Sequence, residues 1–207
     1  MKAKRLIPIF ASFACLILVA VYYQHLVDDI PRAHTSGTHL KVSTLANDEE
    51  LTASYVFDHR TRFARQYEIR RRNGALSLAI FSASVEWQGT KAVTKADQLL
   101  GTHILTPAEQ QGLDALIAYF RTRREEHSSA FTQTALIHRR AGKVIGEEIY
   151  VGFGLPGSLD YLDQEAKNGA ATTHDYDKLA ADYGLTRAEL DRIVPFERLT
   201  RRATGNR

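Results

Sequence analysis

The feature that most constrains this chain is an uninterrupted apolar run near its start. The segment LIPIFASFACLILVAVYY, Leu6 to Tyr23, contains 18 residues and no charged side chain. As a helix rising about 1.5 Å per residue it would be about 27 Å long, which is close to the thickness of the hydrocarbon core of a bilayer. The run predicts a transmembrane anchor at residues 6–23, preceded by a cytoplasmic stub at residues 1–5.

A cleaved signal peptide is the alternative interpretation of this run, because Lys2, Lys4 and Arg5 form a basic region ahead of it. The end of the run argues against cleavage. Tyr22 and Tyr23 close it without a small-x-small site, and paired tyrosines are typical of the membrane interface. We therefore favour an uncleaved anchor, and in either case the rest of the chain is exported.

The distribution of charge predicts the topology. Three basic residues precede the run and Asp28 and Asp29 follow it, so the positive-inside rule places the N-terminus in the cytoplasm and the domain in the periplasm. The chain has 27 Lys and Arg against 24 Asp and Glu, and residues 1–23 contain three basic and no acidic side chains. The exported part is therefore neutral, which argues against nucleic acid as a partner.

The segment after the anchor contains few apolar residues. Residues 24–46 predict a juxtamembrane linker, apart from a short strand at His39–Leu45. Asn47 then offers a helix cap, and apolar residues follow at spacings of four or eight. These are Leu51, Tyr55, Phe63 and Tyr67. A helix beginning near Asp48 is the favoured interpretation, with a partial hairpin at residues 48–72 as the alternative.

Two pairs of apolar segments predict β-hairpins with type I′ turns, because each pair is joined by residues suited to such a turn. The first hairpin runs from Gln66–Arg72 through Asn73-Gly74 into Ala75–Trp87. The second runs from Phe131–Arg139 through Ala141-Gly142 into Val144–Phe153.

A helix between the hairpins is marked by its first residues. Thr106 predicts the cap, Pro107 the first helical position and Glu109 the partner in a capping box. One face of this helix is apolar and carries Leu113, Leu116, Ile117 and Phe120. Three further helices are predicted near the C-terminus, at Ser158–Lys167, Asp175–Tyr183 and Thr186–Ile193.

The predicted order is helix, hairpin, helix, hairpin and helices, without the strand-helix alternation of a parallel sheet. It indicates the α+β class, with one antiparallel sheet of two hairpins packed by helices. We expect an extracytoplasmic domain at residues 47–155, a C-terminal helical segment at 156–195 and a flexible basic tail at 196–207.

A glycine pattern follows the second hairpin. Gly152-Phe-Gly154-Leu-Pro-Gly157 matches the G-x-G-x-x-G of dinucleotide-binding loops, in which backbone amides hold a pyrophosphate. The preceding strand belongs to a hairpin, and Pro156 lacks an amide hydrogen. We therefore interpret the segment as a turn capped by Ser158, and we predict no cofactor.

A second pattern is that of a helix-turn-helix, with a tight turn at Gly184 between apolar contacts. These contacts are Leu179, Ala180, Leu185, Leu190 and Ile193. Residues 147–191 hold ten acidic against three basic side chains, however, and phosphate binding needs the opposite balance. A plain helical hairpin is the favoured interpretation, and a membrane-tethered DNA regulator is an alternative.

An arginine cluster is the one candidate interaction patch. It comprises Arg60, Arg62, Arg65, Arg70, Arg71 and Arg72. Such a patch suits phosphates, anionic lipid or an acidic partner, and it could instead pair with the acidic segment Asp160 to Asp191 of the same chain. We expect the interleaved Phe63 and Tyr67 to face the core.

The eight histidines show no metal-ligand spacing, so we predict no metal site. Catalysis by Ser158 with His174 and Asp175 is a further alternative, that of an extracytoplasmic hydrolase, although no nucleophile-elbow motif is present. The leading expectation is a non-catalytic protein-interaction or envelope-assembly module in the inner membrane. Its partners would be the bilayer, through residues 6–23, and another envelope protein or a second copy of the chain.

Overall fold

The structure is a computed structural model that describes residues 34–37, 40–57, 63–88, 91–122, 132–151 and 155–205. These residues include seven strands: β1 (His34–Gly37), β2 (Glu49–Phe57), β3 (Phe63–Arg72), β4 (Ala75–Gln88), β5 (Lys91–Ile104), β6 (Gln133–Arg140) and β7 (Lys143–Val151). They form one sheet in the order β1-β7-β6-β2-β3-β4-β5, and every neighbouring pair is antiparallel. The predicted α+β class with one antiparallel sheet is confirmed, although the sheet is larger than two hairpins.

Both predicted hairpins are confirmed. β3 and β4 are joined by Asn73 and Gly74, whose φ angles are 51° and 80°. β6 and β7 are joined by Ala141 and Gly142, with φ angles of 48° and 80°. Two consecutive positive φ angles are the signature of the type I′ turn, whose twist matches that of the strands it connects.

The predicted helix near Asp48 is wrong, because this segment forms strand β2 between β3 and β6. Leu51, Ala53 and Tyr55 are buried on one face of the strand. Residues four apart lie on one face of a helix, but they also lie on one face of a strand because four is an even number. The spacing of four therefore did not distinguish the two structures.

Strand β5 has no counterpart among the predictions. Its sequence, KAVTKADQLLGTHI, does not alternate between apolar and polar residues, and most of its side chains are exposed or half-buried. Its extended conformation is supported by pairing with β4 along its length, with irregular register around Phe81. Strand pairing of this kind is a tertiary interaction that no local pattern reports.

The described helices are α1 (Pro107–Thr122), α2 (Leu155–Lys167), α3 (Thr173–Asp182), α4 (Arg187–Arg192) and α5 (Phe196–Ala203). Helix α1 begins as predicted: the backbone N–H of Thr106 donates to Glu109 at 2.8 Å, and the N–H of Glu109 donates to Oγ1 of Thr106 at 3.3 Å. The predicted flexible tail from residue 196 is wrong, because Phe196 and Leu199 are buried in the core.

The main core lies between the five helices and one face of the sheet. Tyr67, Leu78 and Tyr150 contribute from the strands, and Phe120 and Leu159 contribute from the helices. The predicted strand at His39–Leu45 is also wrong, because Val42–Thr44 is a 3-10 helix. Leu40, Val42 and Leu45 are buried in the same core, so this part of the expected linker belongs to the domain.

Gly112 and Gly101 lie against other segments of the chain that leave no room for a Cβ atom. A Cβ atom on Gly112 in α1 would lie 2.3 Å from Cγ2 of Val194 and 2.5 Å from the carbonyl oxygen of Arg192. A Cβ atom on Gly101 in β5 would lie 2.4 Å from the carbonyl oxygen of Ala203. The helices that follow β7 are therefore packed tightly on both α1 and the sheet.

Gly112→Ala is expected to destabilise the domain, because the new methyl group must displace backbone atoms at a cost of about 1–3 kcal/mol. The gain of about 1 kcal/mol that Ala brings to a helix interior reduces this loss, so the net destabilisation should be up to about 2 kcal/mol. Ala118, exposed on the same helix, supplies the control: Ala118→Gly should cost about 1 kcal/mol through helix propensity alone. Urea unfolding monitored by circular dichroism measures both, and a stabilised Gly112→Ala variant would contradict the close contact.

The predicted anchor at residues 6–23 lies outside the described residues. Within the described ranges, no helix combines the length and the apolar composition needed to cross a bilayer.

Candidate binding site

The second face of the sheet is not covered by any described helix. Alternate residues of β2, β3 and β6 point to this open face, because side chains alternate along a strand and the intervening ones fill the core. These residues are Glu50, Thr52 and Ser54 of β2, Gln66 and Glu68 of β3, and Ala135, Ile137 and Arg139 of β6. The open face is therefore mainly polar.

The tip of the β4–β5 hairpin lies across the open face. In the sheet order β3 and β2 separate this hairpin from β6, yet the backbone of Ala92 exchanges two hydrogen bonds of 3.0 Å with the side-chain amide of Gln133. Lys91 also forms an ion pair with Glu147 of β7, with 2.5 Å between Nζ and Oε1. Ala92 packs in a small second core with Val56 and other apolar residues. The hairpin, residues 75–104, therefore curls over the sheet.

A cleft of about 420 Å³ lies between this hairpin and the open face. Its floor consists of the open-face residues, and its other wall is the start of β5, residues 91–96. A second groove of about 270 Å³, near the turns that join β3 to β4 and β6 to β7, shares Glu50 and Arg139 with the cleft. Volumes of several hundred Å³ are typical of sites that bind small molecules or short segments.

The side chains on the cleft floor form a hydrogen-bonded network. Nη1 of Arg139 donates to Oγ1 of Thr52 at 2.8 Å, and this hydroxyl donates to Oε1 of Glu50 at 3.0 Å. Glu50 forms an ion pair with Arg70, with 2.5 Å between Oε2 and Nη2. The network fixes the directions of the polar groups on the floor, so that they are preorganised for a polar ligand.

The network continues toward β5. Nη2 of Arg70 lies 3.3 Å from Oε2 of Glu68, and Nε2 of Gln66 donates to Oε1 of Glu68 at the same distance. Oγ1 of Thr94 donates to Oε1 of Gln66 at 3.4 Å, which connects the floor with the β5 wall. The cleft lining contains no His or Cys among the described residues, and no group of metal-ligating side chains occurs in the part of the chain described.

The structure divides the predicted arginine patch. Arg70 belongs to the cleft network, and Arg71 and Arg72 also line the adjoining groove. Arg71 is tied to the backbone, donating to the carbonyl oxygens of Leu45 at 2.7 Å and Gly74 at 2.9 Å.

The other members of the patch lie elsewhere. Arg65 lies on the helix-covered side, where its charge acts on Glu197. Arg60 and Arg62 are outside the described residues. Tyr67 is buried in the core, as predicted.

The residues of the hydrolase alternative are not brought together by any described contact. Ser158 lies in the first turn of α2 rather than capping it, and its hydroxyl is 3.2 Å from that of Tyr183. His174 is exposed at the start of α3. The carboxylate of Asp175 accepts hydrogen bonds from the N–H and hydroxyl of Thr172 in a capping box.

The described residues of the glycine pattern and of the helix-turn-helix pattern belong to helices, to a helix end or to the turn between α3 and α4. Gly157 lies within α2, and Gly152 and Gly154 are outside the described residues. The helix-turn-helix segment is a helical pair, α3 and α4, in which Leu179, Leu190 and other apolar residues face the core. Its Arg187 is already paired with Asp177 and Asp191. The pair therefore packs on the domain as a helical hairpin.

Two carboxyl groups on neighbouring helices act on each other, those of Asp160 in α2 and Glu197 in α5. Burial, followed by the charge of Glu197, raises the pKa of Asp160 to about 7, although Arg201 and Arg198 act in the opposite direction. Burial also raises the pKa of Glu197. The folded protein therefore favours the protonated form of Asp160.

Asp160→Asn is expected to stabilise the domain at pH 8, and the difference from the wild type should disappear below pH 4. Because the folded pKa lies above the unfolded one, the wild type loses stability as pH rises from about 4 to about 7. The stabilisation has an upper limit of about 4 kcal/mol, taken from the shift at about 1.4 kcal/mol per unit. Urea unfolding at several pH values measures it. A variant that is less stable at pH 8 would show that the arginines outweigh burial.

Comparisons of the chain with protein-family models, with curated proteins and with solved structures found no significant match. The cleft itself is therefore the main guide to function.

The predicted arginine patch contains Arg70, Arg71 and Arg72 of the adjoining groove, but none of the residues that line the cleft was predicted. A usable signal was present in Glu50, Thr52 and Ser54, which alternate with apolar residues as on a strand with one polar face. No local sequence pattern indicated that Gln133 and β5 take part in the cleft, because their position depends on the curl of the distant β4–β5 hairpin.

Proposed function

We propose that the chain is a single-pass membrane-anchored protein-interaction module that receives a partner in the cleft on the open face of its sheet. The observation that carries this proposal is the cleft of about 420 Å³, with its preorganised polar floor and the hairpin across it. Polar groups held in fixed directions favour a ligand that offers complementary hydrogen bonds. The face that the helices cover stabilises the fold, whereas the cleft lies on the other face, between the sheet and the β4–β5 hairpin.

The composition of the cleft favours recognition over catalysis. An activated nucleophile needs an adjacent base, and the described lining offers neither His nor Cys. The carboxylates of Glu50 and Glu68 are paired with arginine and with neutral donors. We propose a non-catalytic role on this basis.

The location of the module rests on the sequence. The apolar run at residues 6–23 suits a membrane anchor, and the basic residues ahead of it favour export of the domain. The partner would then be another envelope protein, or a second copy of the chain.

Co-purification from detergent-solubilised membranes tests the proposal when it is combined with a variant that fills the cleft. Ile137→Trp places a large ring on the half-buried cleft floor, and we expect it to abolish recovery of a partner that the wild type recovers. Val144→Trp supplies the matched control, because Val144 is 57% exposed and does not line the cleft. Equal recovery with both variants would contradict the proposal, provided that both unfold at the temperature of the wild type.

Orientation is tested separately with a C-terminal tag. We expect protease added to intact spheroplasts to remove the tag, because the domain is exported. Protection of the tag would contradict the topology and would favour the membrane-tethered regulator.

A further inference from the structure

We infer that the occupant of the cleft is an extended polypeptide segment, which adds as a strand to the free edge of β5 at Thr94 and Ala96. This inference rests on the proposed function, because it identifies the chemistry of the partner at the same site. It comes from the way in which Ala92 is hydrogen-bonded.

The side chain of Gln133 occupies the position of a neighbouring strand. Its Oε1 accepts from the N–H of Ala92 and its Nε2 donates to the carbonyl oxygen of Ala92, both at 3.0 Å. A residue of an antiparallel neighbouring strand makes the same two bonds through its own N–H and C=O groups. The edge of β5 therefore has the geometry for pairing with another strand. The carboxamide of Gln133 pairs only with Ala92, the first residue of this edge whose backbone groups face away from β4.

The next backbone groups on this edge are those of Thr94 and Ala96. In an antiparallel pair the N–H and C=O groups of alternate residues point to the same side. The groups of Ala92 point away from β4, so those of Thr94 and Ala96 do so as well. Lys95 faces the opposite way, and its carbonyl oxygen lies 3.5 Å from the side-chain Oγ of Ser84 in β4. In the described part of the chain, no backbone hydrogen bond joins Thr94 or Ala96 to an element on the side away from β4.

The free edge borders the cleft. Thr94 and Ala96 line it together with Ala135, Ile137 and Arg139 of β6, so a segment that pairs with the edge would lie above the floor. Recognition by strand addition uses main-chain hydrogen bonds for affinity and the pockets beneath alternate side chains for specificity. The hydrogen-bonded floor favours a polar side chain on that segment over an apolar lipid chain.

Peptides selected from a phage-displayed library of random heptapeptides against the full chain in detergent provide the probe. The tightest peptide is synthesised and then methylated on single backbone nitrogens in turn. We expect methylation at alternate positions to weaken binding by about tenfold or more, with little effect at the positions between, because only alternate N–H groups face the edge. Amide exchange within residues 92–96 should slow when the peptide binds.

Two substitutions at one position separate the backbone from the side chain. Thr94→Pro removes the N–H that faces the cleft while β4 pairing is retained, because Pro is tolerated where a strand N–H has no partner. It should weaken peptide binding about as much as methylation of the peptide. Thr94→Ala keeps the N–H and should bind nearly as the wild type does. The methylated peptides test the inference independently of whether Thr94→Pro folds.

The outcomes separate this inference from the proposed function. If selected peptides bind, and Ile137→Trp abolishes binding, but methylation has no alternating effect and the amides stay unprotected, strand addition is overturned while the cleft remains the binding site. If no selected peptide depends on Ile137, recognition of a peptide by the cleft is overturned, and the co-purification result alone decides the proposed function. A dimer of the full chain that Ile137→Trp dissociates, and that leaves the amides of residues 92–96 unprotected, would show that a second copy occupies the cleft without strand addition and would overturn the inference.

Discussion

Replacement of Glu109 by Gln is expected to lower the free energy of unfolding at pH 7 by about 3 kcal/mol. The carboxylate is 2% exposed and joins three parts of the domain. It accepts from Thr106 at the start of α1, lies 2.9 Å from Nε2 of His103 in β5, and pairs with Arg202 of α5. Burial alone would raise the pKa of Glu109, but the hydrogen bonds from Thr106, His103 and Arg202 lower it to about 2.

The dependence of this effect on pH identifies its cause. A carboxyl group with a lowered folded pKa stabilises the protein above its unfolded pKa, and this contribution is lost as pH falls toward the folded value. The difference between the wild type and Glu109→Gln should therefore be complete above about pH 5 and should vanish near pH 2. Urea unfolding across this range measures it.

Helix α4 supplies a matched control for Glu109. It begins with the same capping box, in which Glu189 accepts from the N–H of Thr186 at 2.7 Å, but this box is exposed. Glu189→Gln should cost much less than Glu109→Gln, because it breaks no buried link between distant elements. Equal losses would show that Glu109 acts as a local cap alone.

Phe196→Ala is expected to destabilise the domain by about 3–5 kcal/mol, the usual effect of truncating a buried aromatic side chain. The ring stacks on Tyr67, with centroids 4.7 Å apart, and contacts Tyr55 at 5.9 Å. The same helix provides Thr200, whose hydroxyl lies 3.2 Å from that of Tyr67. Calorimetry or urea unfolding measures the loss.

Two truncations complete the test of α5. Deletion of residues 205–207, beyond the last turn of the helix, should leave stability nearly unchanged. Deletion of residues 196–207 removes Phe196 and Leu199 from the core and should prevent stable folding. If both truncations were tolerated equally, the segment would be the flexible tail that its basic composition suggested.

The elements that were predicted correctly are those with a complete local signal. Both hairpins have turn residues that adopt positive φ between strand-forming segments, and α1 has its cap, its proline and an apolar face within one segment. Such signals act over a few residues, so they can be recognised in the sequence without knowledge of the tertiary structure.

The errors arose where stability comes from distant contacts. The spacing of four in β2 fits either a strand or a helix, and the sheet neighbours β3 and β6 decide in favour of the strand. Helix α5 is short and basic, yet Tyr67 and Tyr55, far away in the chain, pack against its Phe196. The cleft could not be predicted as a site because its wall and its floor are joined only by the curl of the β4–β5 hairpin.

Photo-crosslinking in membranes tests most directly the claim that the open face of the sheet is the binding surface. A photoreactive phenylalanine analogue at Lys95, an exposed residue on the β5 wall of the cleft, is compared with the same analogue at Tyr161, which is 64% exposed on α2. We expect a cross-linked product from position 95 and none from position 161. A product from position 161 alone would place the partner on the helical side and would contradict binding at the open face of the sheet.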